Sequence, residues 1–197
     1  MKIYLLRHGQ TQGNKERRFI GGRTDEGLSQ EGRVQLKERA KVHMSVAKGP
    51  SPVGVSPVVV SPMKRCIETA QIVCGEQELI IDEDLREMDF GEFENKNHEE
   101  LDGNPDYQAW IDSNCEDMCP GGESKEQLVN RSMRAYRRII DHLYDNNIDT
   151  AVVVCHGGNI MAILSELTGE DFYNFHVGNG EGYEVKINES GISYNRI

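Results

Sequence analysis

The sequence has no apolar run long enough to cross a bilayer, so no helical membrane span is expected. It is also short of positive charge. Against 33 Asp and Glu stand 22 Lys and Arg, a formal net charge of −11. A nucleic-acid partner needs a basic face, which this balance argues against. The same acidity repels anions at long range, so any anion site must be a local cluster of Arg and His. Cysteine is sparse and odd in number, five in 197 residues, without the spacing of a disulfide framework. That fits a reducing compartment. Cys115 and Cys119 could pair, or hold metal with His98, but no ligand pair at zinc spacing stands near them. Neither a metal nor a cofactor is expected. Repeats, low-complexity tracts and a domain linker are lacking too, and 37% hydrophobic with 28% charged residues suits a soluble globular chain with one core. Met1-Lys2 leads straight into an apolar strand that a cleavable signal peptide would remove, so the cytoplasm is the expected location.

What is present centres on Leu5-Leu6-Arg7-His8-Gly9. Ile3 to Leu6 reads as a buried strand, and charge begins where it runs out. Ala151-Val152-Val153-Val154-Cys155 repeats the design and ends in His156-Gly157. In open α/β sheets, ligands bind in the crevice at the carboxyl ends of strands. Two parallel strands ending this way would bring both imidazoles to one crevice.

Between them the chain alternates. Gln10 to Asn14 reads as a loop, and Arg17, Arg18, Gly21, Gly22 and Arg23 follow it. Glycines with arginines suit an anionic or polyhydroxylated ligand, though a solvated surface loop explains them equally well. Ser29 should cap a helix with an apolar stripe at Leu36, Ala40 and Ala47, and with His43 on its surface. Gly49-Pro50 should stop it, and Ser51 to Pro57 should connect it to the next strand, Val58 to Val60. Ser61 as cap and Pro62 at the first position should open another helix, which places Arg65 by its N-terminus. Such an end offers free N–H groups to an anion, and Arg65 adds a fork. Leu79 to Ile81 is a third strand. Asn95 to about Asp117 should hold one or two short helices anchored by Tyr107 and Trp110. This stretch is acidic, with Lys96 the one Lys or Arg between Met88 and Glu123, and a helical cap-like excursion over about 92–120 is expected. Ser124 to Gln127 forms a capping box for a long helix buried along Leu128, Ser132, Ala135, Ile139 and Leu143. On it, Arg131, Arg134, Arg137 and Arg138 read as solvated and His142 as unpartnered. A helix from Ile160 to Leu167 follows His156, and a hairpin around Glu189-Ser190-Gly191 closes the chain.

Arg7, His8, Arg65 and His156 without an Asp-rich metal set suggest a dianion, and a phosphoryl group is the obvious one. Its transfer needs positioning and charge neutralisation. Arg7 and Arg65 can supply forks, and His156 and the backbone N–H of Gly157 can donate. Neutral His8 is a competent nucleophile near its ordinary pKa. A carboxylic acid must then protonate the leaving alkoxide and later activate water. Glu87 or a neighbouring carboxylate could serve, and spacing alone does not choose.

Five segments in one order carry a resemblance. They are Leu6-Arg7-His8-Gly9-Gln10-Thr11 with Asn14, Arg18-Phe19-Ile20-Gly21-Gly22, Ser61 through Ala70, Leu85 through Glu94, and Val154 through Gly158; Pro120 through Ser124 also fits. With them the chain resembles the histidine phosphatase superfamily, in its phosphoglycerate mutase-like branch. The resemblance implies one α/β domain over 1–197, a three-layer fold with a mixed, mainly parallel sheet and helices on both faces. It implies His8 as the phosphorylated residue, Arg7, Arg65 and His156 as phosphoryl ligands helped by Asn14, and Glu87 as acid/base. Gly21 and Gly22 would lie near the substrate. Mutases of this family carry basic residues after the Glu motif, whereas here that stretch is acidic, which favours a phosphatase. The match is to α-ribazole phosphatases and to broad-specificity phosphatases alike. Ile20 stands where relatives often carry Gln, a departure that bears on substrate and not on chemistry. The partner expected is a small phosphorylated metabolite, such as α-ribazole 5'-phosphate, with no nucleic acid and no membrane, and with room for a homodimer. A cofactor-dependent phosphoglycerate mutase and a non-catalytic phosphate-binding protein remain the alternatives.

Overall fold

The computed structural model describes residues 1–47, 56–189 and 191–197, with backbone alone for 40–47. Six strands form one sheet in the order β3-β2-β4-β1-β5-β6. They are β1 (Lys2–Arg7), β2 (Val58–Val60), β3 (Leu79–Ile81), β4 (Thr150–Cys155), β5 (Gly182–Asn188) and β6 (Gly191–Arg196). The first four run parallel, and β5 and β6 add an antiparallel edge. Parallel strands need both faces covered. The alternation along each strand supplies two apolar faces. Ile3, Leu5, Val59, Ala151 and Val153 pack against α5 (Lys125–Asp145) and α6 (Gly157–Thr168). Tyr4, Leu6, Val58, Val60, Val152 and Val154 pack against Leu36 of α2 (Gln30–Ala47) and Cys66, Ala70 and Val73 of α3 (Lys64–Cys74). This is the expected three-layer α/β architecture.

The expected capping box is present: Ser124 Oγ accepts from the Gln127 N–H and the Gln127 side chain accepts from the Ser124 N–H. Ser29 Oγ likewise accepts from the Gly32 N–H at the start of α2. Several boundaries differ from expectation. The segment read as a loop after Gly9 contains a one-turn helix, α1 (Gln12–Lys15), capped by Thr11. Helix α3 begins after Met63, so Ser61 and Pro62 lie ahead of it, with Ser61 turned inward to His156. Helix α6 starts at Gly157, three residues early, because its first turn closes directly onto the strand end. In the acidic excursion one α-helix forms, α4 (Pro105–Asp112). The expectations for the side chains of Ala40, His43 and Ala47, for Gly49-Pro50, for most of the Ser51–Pro57 connection and for Ser190 lie outside the described residues.

Candidate active site

Register is what joins the two histidine motifs. Strands β1 and β4 pair with Leu6 beside Val154 and Arg7 beside Cys155. The next residue on each strand is a histidine, and the His8 N–H continues the ladder onto the Cys155 carbonyl at 3.0 Å. The two imidazole rings stand 5.1 Å apart, inclined at 63°. His8 is 3% exposed and His156 fully buried.

Each ring is held in one protonation pattern. The Gly9 carbonyl lies 2.7 Å from His8 Nδ1. A carbonyl can only accept, so Nδ1 carries the proton and Nε2 keeps its lone pair. Burial, then the Arg65 and Arg7 charges, hold the His8 pKa well below its ordinary value. His156 is shifted the same way, by burial and then by Arg65. Its Nδ1 accepts from Arg65 Nε at 3.3 Å, so its Nε2–H donates to Ser61 Oγ at 2.8 Å. The Cys66 thiol lies 3.4 Å from that Nε2, and burial pushes its pKa up to about 12, so it stays a thiol.

The remaining groups come from β1, α1, α3 and the segment between β3 and α4. Arg65 is fully buried in the first turn of α3, and its guanidinium donates to the carbonyls of Thr24, Ile20 and Gly21. Thr69, one turn on, accepts from the Gly9 N–H at 3.0 Å and so ties α3 to the His8 loop. Arg7 Nη1 donates to the Val177 carbonyl at 2.6 Å, while its Nε is buried with no partner among the described residues. A buried unpaired guanidinium N–H is costly, and an arriving anion would satisfy it. Asn14 Oδ1 accepts from the Thr11 N–H at 3.2 Å. Glu87 Oε1 accepts from the Met88 N–H at 2.9 Å and lies against Gly158, where a Cβ would stand 2.5 Å from that oxygen. A larger residue there would push the carboxylate away from the first turn of α6.

A cavity of about 370 Å³ opens beside these groups, lined by Arg7, Glu87, Gly157 and Gly158 on one side. Its other walls include Phe19, Phe90, Trp110, Met161 and Phe172, with Lys125 and His176 as further basic groups. Lys125 Nζ pairs with Glu116 at 3.0 Å and lies over the Phe172 and Tyr173 rings. Of these rings the acidic excursion supplies Trp110. Its acids Glu92, Glu99, Glu100, Asp102 and Asp106 are exposed.

Some expected ligand groups are committed elsewhere. The Gly21 N–H donates to Glu94 and the Gly22 N–H to the Met88 carbonyl. Arg18 pairs with Glu16 and Glu100, and Arg23 with Asp89 and the Gly121 carbonyl. These contacts stitch the loop after α1 to the excursion. Arg131 is not solvated as expected. It forms a two-point pair with Glu123 and donates to the carbonyls of Asp84, Arg86 and Glu87, which fixes the backbone that carries Glu87. Arg134 and Arg138 pair with Asp84 and Asp82, and His142 has Asn146 at 3.4 Å. The five cysteines are free, and among the described residues no group of three or more His, Cys, Asp or Glu is placed to hold a metal ion. Asn179, His176 and Ser61 were not expected at the site: Ser61 read as a helix cap, and the Gly178-Asn179-Gly180 turn, a glycine-rich signal beside the last hairpin, could have drawn attention to Asn179.

Comparison with known proteins shows the family and the fold. The chain is 30% identical over 194 residues to putative phosphoserine phosphatase 2 of Hydrogenobacter thermophilus, covering 94% of this chain and 89% of that one. It is 35% identical over 168 residues to phosphoglycerate mutase-like protein 4 of Arabidopsis thaliana, covering 82% and 69%. The crystal structure of the α-ribazole phosphatase from Shigella flexneri superposes with a TM-score of 0.83 at 23% identity, over 99% of this chain and 95% of that one, a likeness of fold. The model of the histidine phosphatase superfamily, branch 1, matches residues 3–197, and this chain belongs to that superfamily.

Proposed function

We propose that the chain is a metal-independent phosphomonoesterase that works through a phosphohistidine at His8. The observation that carries the reading is the His8 ring itself: Nδ1–H is bound to the Gly9 carbonyl, which leaves Nε2 as a lone pair beside Arg7, Arg65 and His156. In the first displacement His8 Nε2 bonds to phosphorus as the ester P–O bond breaks. The leaving alkoxide takes a proton from the Glu87 carboxylic acid. In the second, the Glu87 carboxylate takes a proton from water, whose oxygen displaces His8 and forms inorganic phosphate. Arg7, with its unpaired Nε, and the N-terminal N–H groups of α6 at Gly157 match the charge on the equatorial oxygens. Arg65 adds a second positive charge with the neutral His156 ring beside it, and Asn14 adds an amide donor.

The cavity supports a phosphatase over a mutase. Phosphoglycerate carries a carboxylate that needs a free cation next to the phosphoryl site. Lys125 is engaged by Glu116, burial and the Arg7 charge lower the His176 pKa, and the wall facing Arg7 is otherwise rings and apolar side chains. A planar apolar leaving group fits them. This is compatible with α-ribazole 5'-phosphate, and the excursion over about 92–120 then acts as a cap that selects the ester. The substrate is a small metabolite and the working location the cytoplasm. The test is phosphate release from an aryl phosphate with chelator present, followed by a panel of α-ribazole 5'-phosphate, phosphoserine and 3-phosphoglycerate. Release that persists with chelator and vanishes in His8→Ala supports the reading; equal rates in wild type and His8→Ala overturn it. Exchange between 2- and 3-phosphoglycerate that depends on a bisphosphate primer would replace it with the mutase.

A further inference from the structure

The turn between α6 and β5 touches the site from a side that the sequence motifs do not mark. The Arg7 N–H donates to the Glu181 carbonyl at 2.8 Å, and Val177 receives Arg7 Nη1. Gly180 has φ of 73°, and its N–H points at the carbonyls of Arg7 and His8, at 3.2 and 3.0 Å. Only glycine adopts this conformation freely, and a Cβ would also press on Leu36 at 3.0 Å. Glu181 locks the turn by accepting from the Gly178 N–H at 2.9 Å and from Arg196 at 2.6 Å.

Asn179 sits at the centre of this turn with both protons of its amide in use. Its Nδ2 donates to Asn14 Oδ1 at 3.0 Å, across 165 residues of sequence, and to the His8 carbonyl at 3.3 Å, across 171. The consequence for Asn14 follows from donor counting. Its second partner is the Thr11 N–H, which also can only donate. The atom facing both must be oxygen, which turns the Asn14 NH₂ to the opposite side, where it has no partner among the described residues. With Asn179 removed, one donor instead of two holds that orientation, and one of the two donors at the His8 carbonyl is lost as well.

We infer that Asn179 is a positioning residue for phosphoryl binding: it aims the Asn14 amide N–H at the oxyanion and fixes the backbone of the His8 nucleophile. The inference rests on the phosphohistidine reading above. Asn179 does not itself touch the phosphoryl group in this arrangement.

The experiment compares wild type, Asn14→Ala, Asn179→Ala, Asn179→Asp and the double Asn14→Ala/Asn179→Ala, with orthovanadate binding by calorimetry and kcat/KM on an aryl phosphate. Loss of one hydrogen bond's net effect predicts about a tenfold weaker orthovanadate complex in Asn179→Ala. Asn179→Asp should lose more, since a carboxylate offers acceptors to two acceptor oxygens and repels the anion. The double variant should bind orthovanadate within about twofold of Asn14→Ala, because residues acting through one another are not additive. A merely structural turn would give losses that multiply in the double variant and a lowered Tm in Asn179→Ala. That result, or wild-type orthovanadate affinity in Asn179→Ala, overturns the inference. Failure of the underlying reading shows separately, as absence of phosphate release and of a trapped phosphohistidine in the wild type, while the binding comparison still decides the role of Asn179.

Discussion

At the ends of β1 and β4, the polar side chains are tied to fixed partners, some adjacent in sequence and some distant: His8 to Gly9, Arg65 to three carbonyls, His156 to Ser61 and Arg65, Asn14 to Thr11 and Asn179. Across the cavity the wall is different. Its rings Phe19, Phe90 and Trp110 meet one another, and Phe93 and Tyr107, which do not line it, at centroid distances of 5.2 to 6.2 Å. Hydrogen bonds are directional and short, so the floor holds its donors to one geometry. Ring packing is tolerant in direction and selects by shape and polarity. Under the proposed function, chemistry belongs to the floor and choice of ester to the wall.

The sharpest way to break this division is at the floor. His8→Ala should lower kcat/KM by at least about a thousandfold on every ester tested, as removal of a covalent nucleophile does. A selective loss, large for one leaving group and small for another, would place specificity in the floor too. Glu87→Gln should slow turnover by about 10²–10³-fold on an alkyl phosphate, less on nitrophenyl phosphate, whose leaving group needs no proton. Orthovanadate affinity should stay within about threefold, since the group transfers a proton without carrying the anion. At the wall, Trp110→Leu should raise KM for an aryl phosphate by roughly tenfold, leave kcat within about twofold, and spare a small alkyl phosphate. A kcat loss equal to the KM change would show that the wall also sets the chemistry.

Two smaller effects refine the picture. Burial and the two arginines depress the His8 pKa, so both His8 and His156 should remain neutral in NMR titration at pH 6.5, where an ordinary histidine is half protonated. The sign for stability follows. The unfolded chain takes up protons at these histidines below about pH 6.5 while the fold does not, so their contribution to stability is lost as pH falls below that value. The smallest change belongs to the exposed stitch between loop and wall. Glu100→Gln, which removes the acid beside Arg18, should alter KM by less than about twofold because exposed ion pairs contribute little.

Much of the floor was legible because it is written in local pattern. Two apolar runs ending in His-Gly predict adjacent strands, and the capping box at Ser124 and the stripe from Leu128 to Leu143 predict α5, in which those residues are buried. The wall was legible only as an acidic excursion. Its charge faces out, and the side that meets the cavity is set by Phe19 and Phe172 arriving from elsewhere. Arg131 shows the same limit. On a helix wheel it stands among solvated arginines, yet Glu123 and three carbonyls close around it once the chain is folded. Arg18 and Arg23 were ambiguous between ligand and surface, and only the positions of Glu100 and Asp89 separate the cases.

The amino-acid order alone determined that two buried strands would end in imidazoles and that a helix start would carry Arg65 beside them, since burial and capping depend on neighbours a few residues away. Tertiary structure decided which way the Asn14 amide faces and what lines the cavity. Those outcomes depend on donors and acceptors brought together across more than a hundred residues, and a hydrogen bond's direction exists only once both ends are in place.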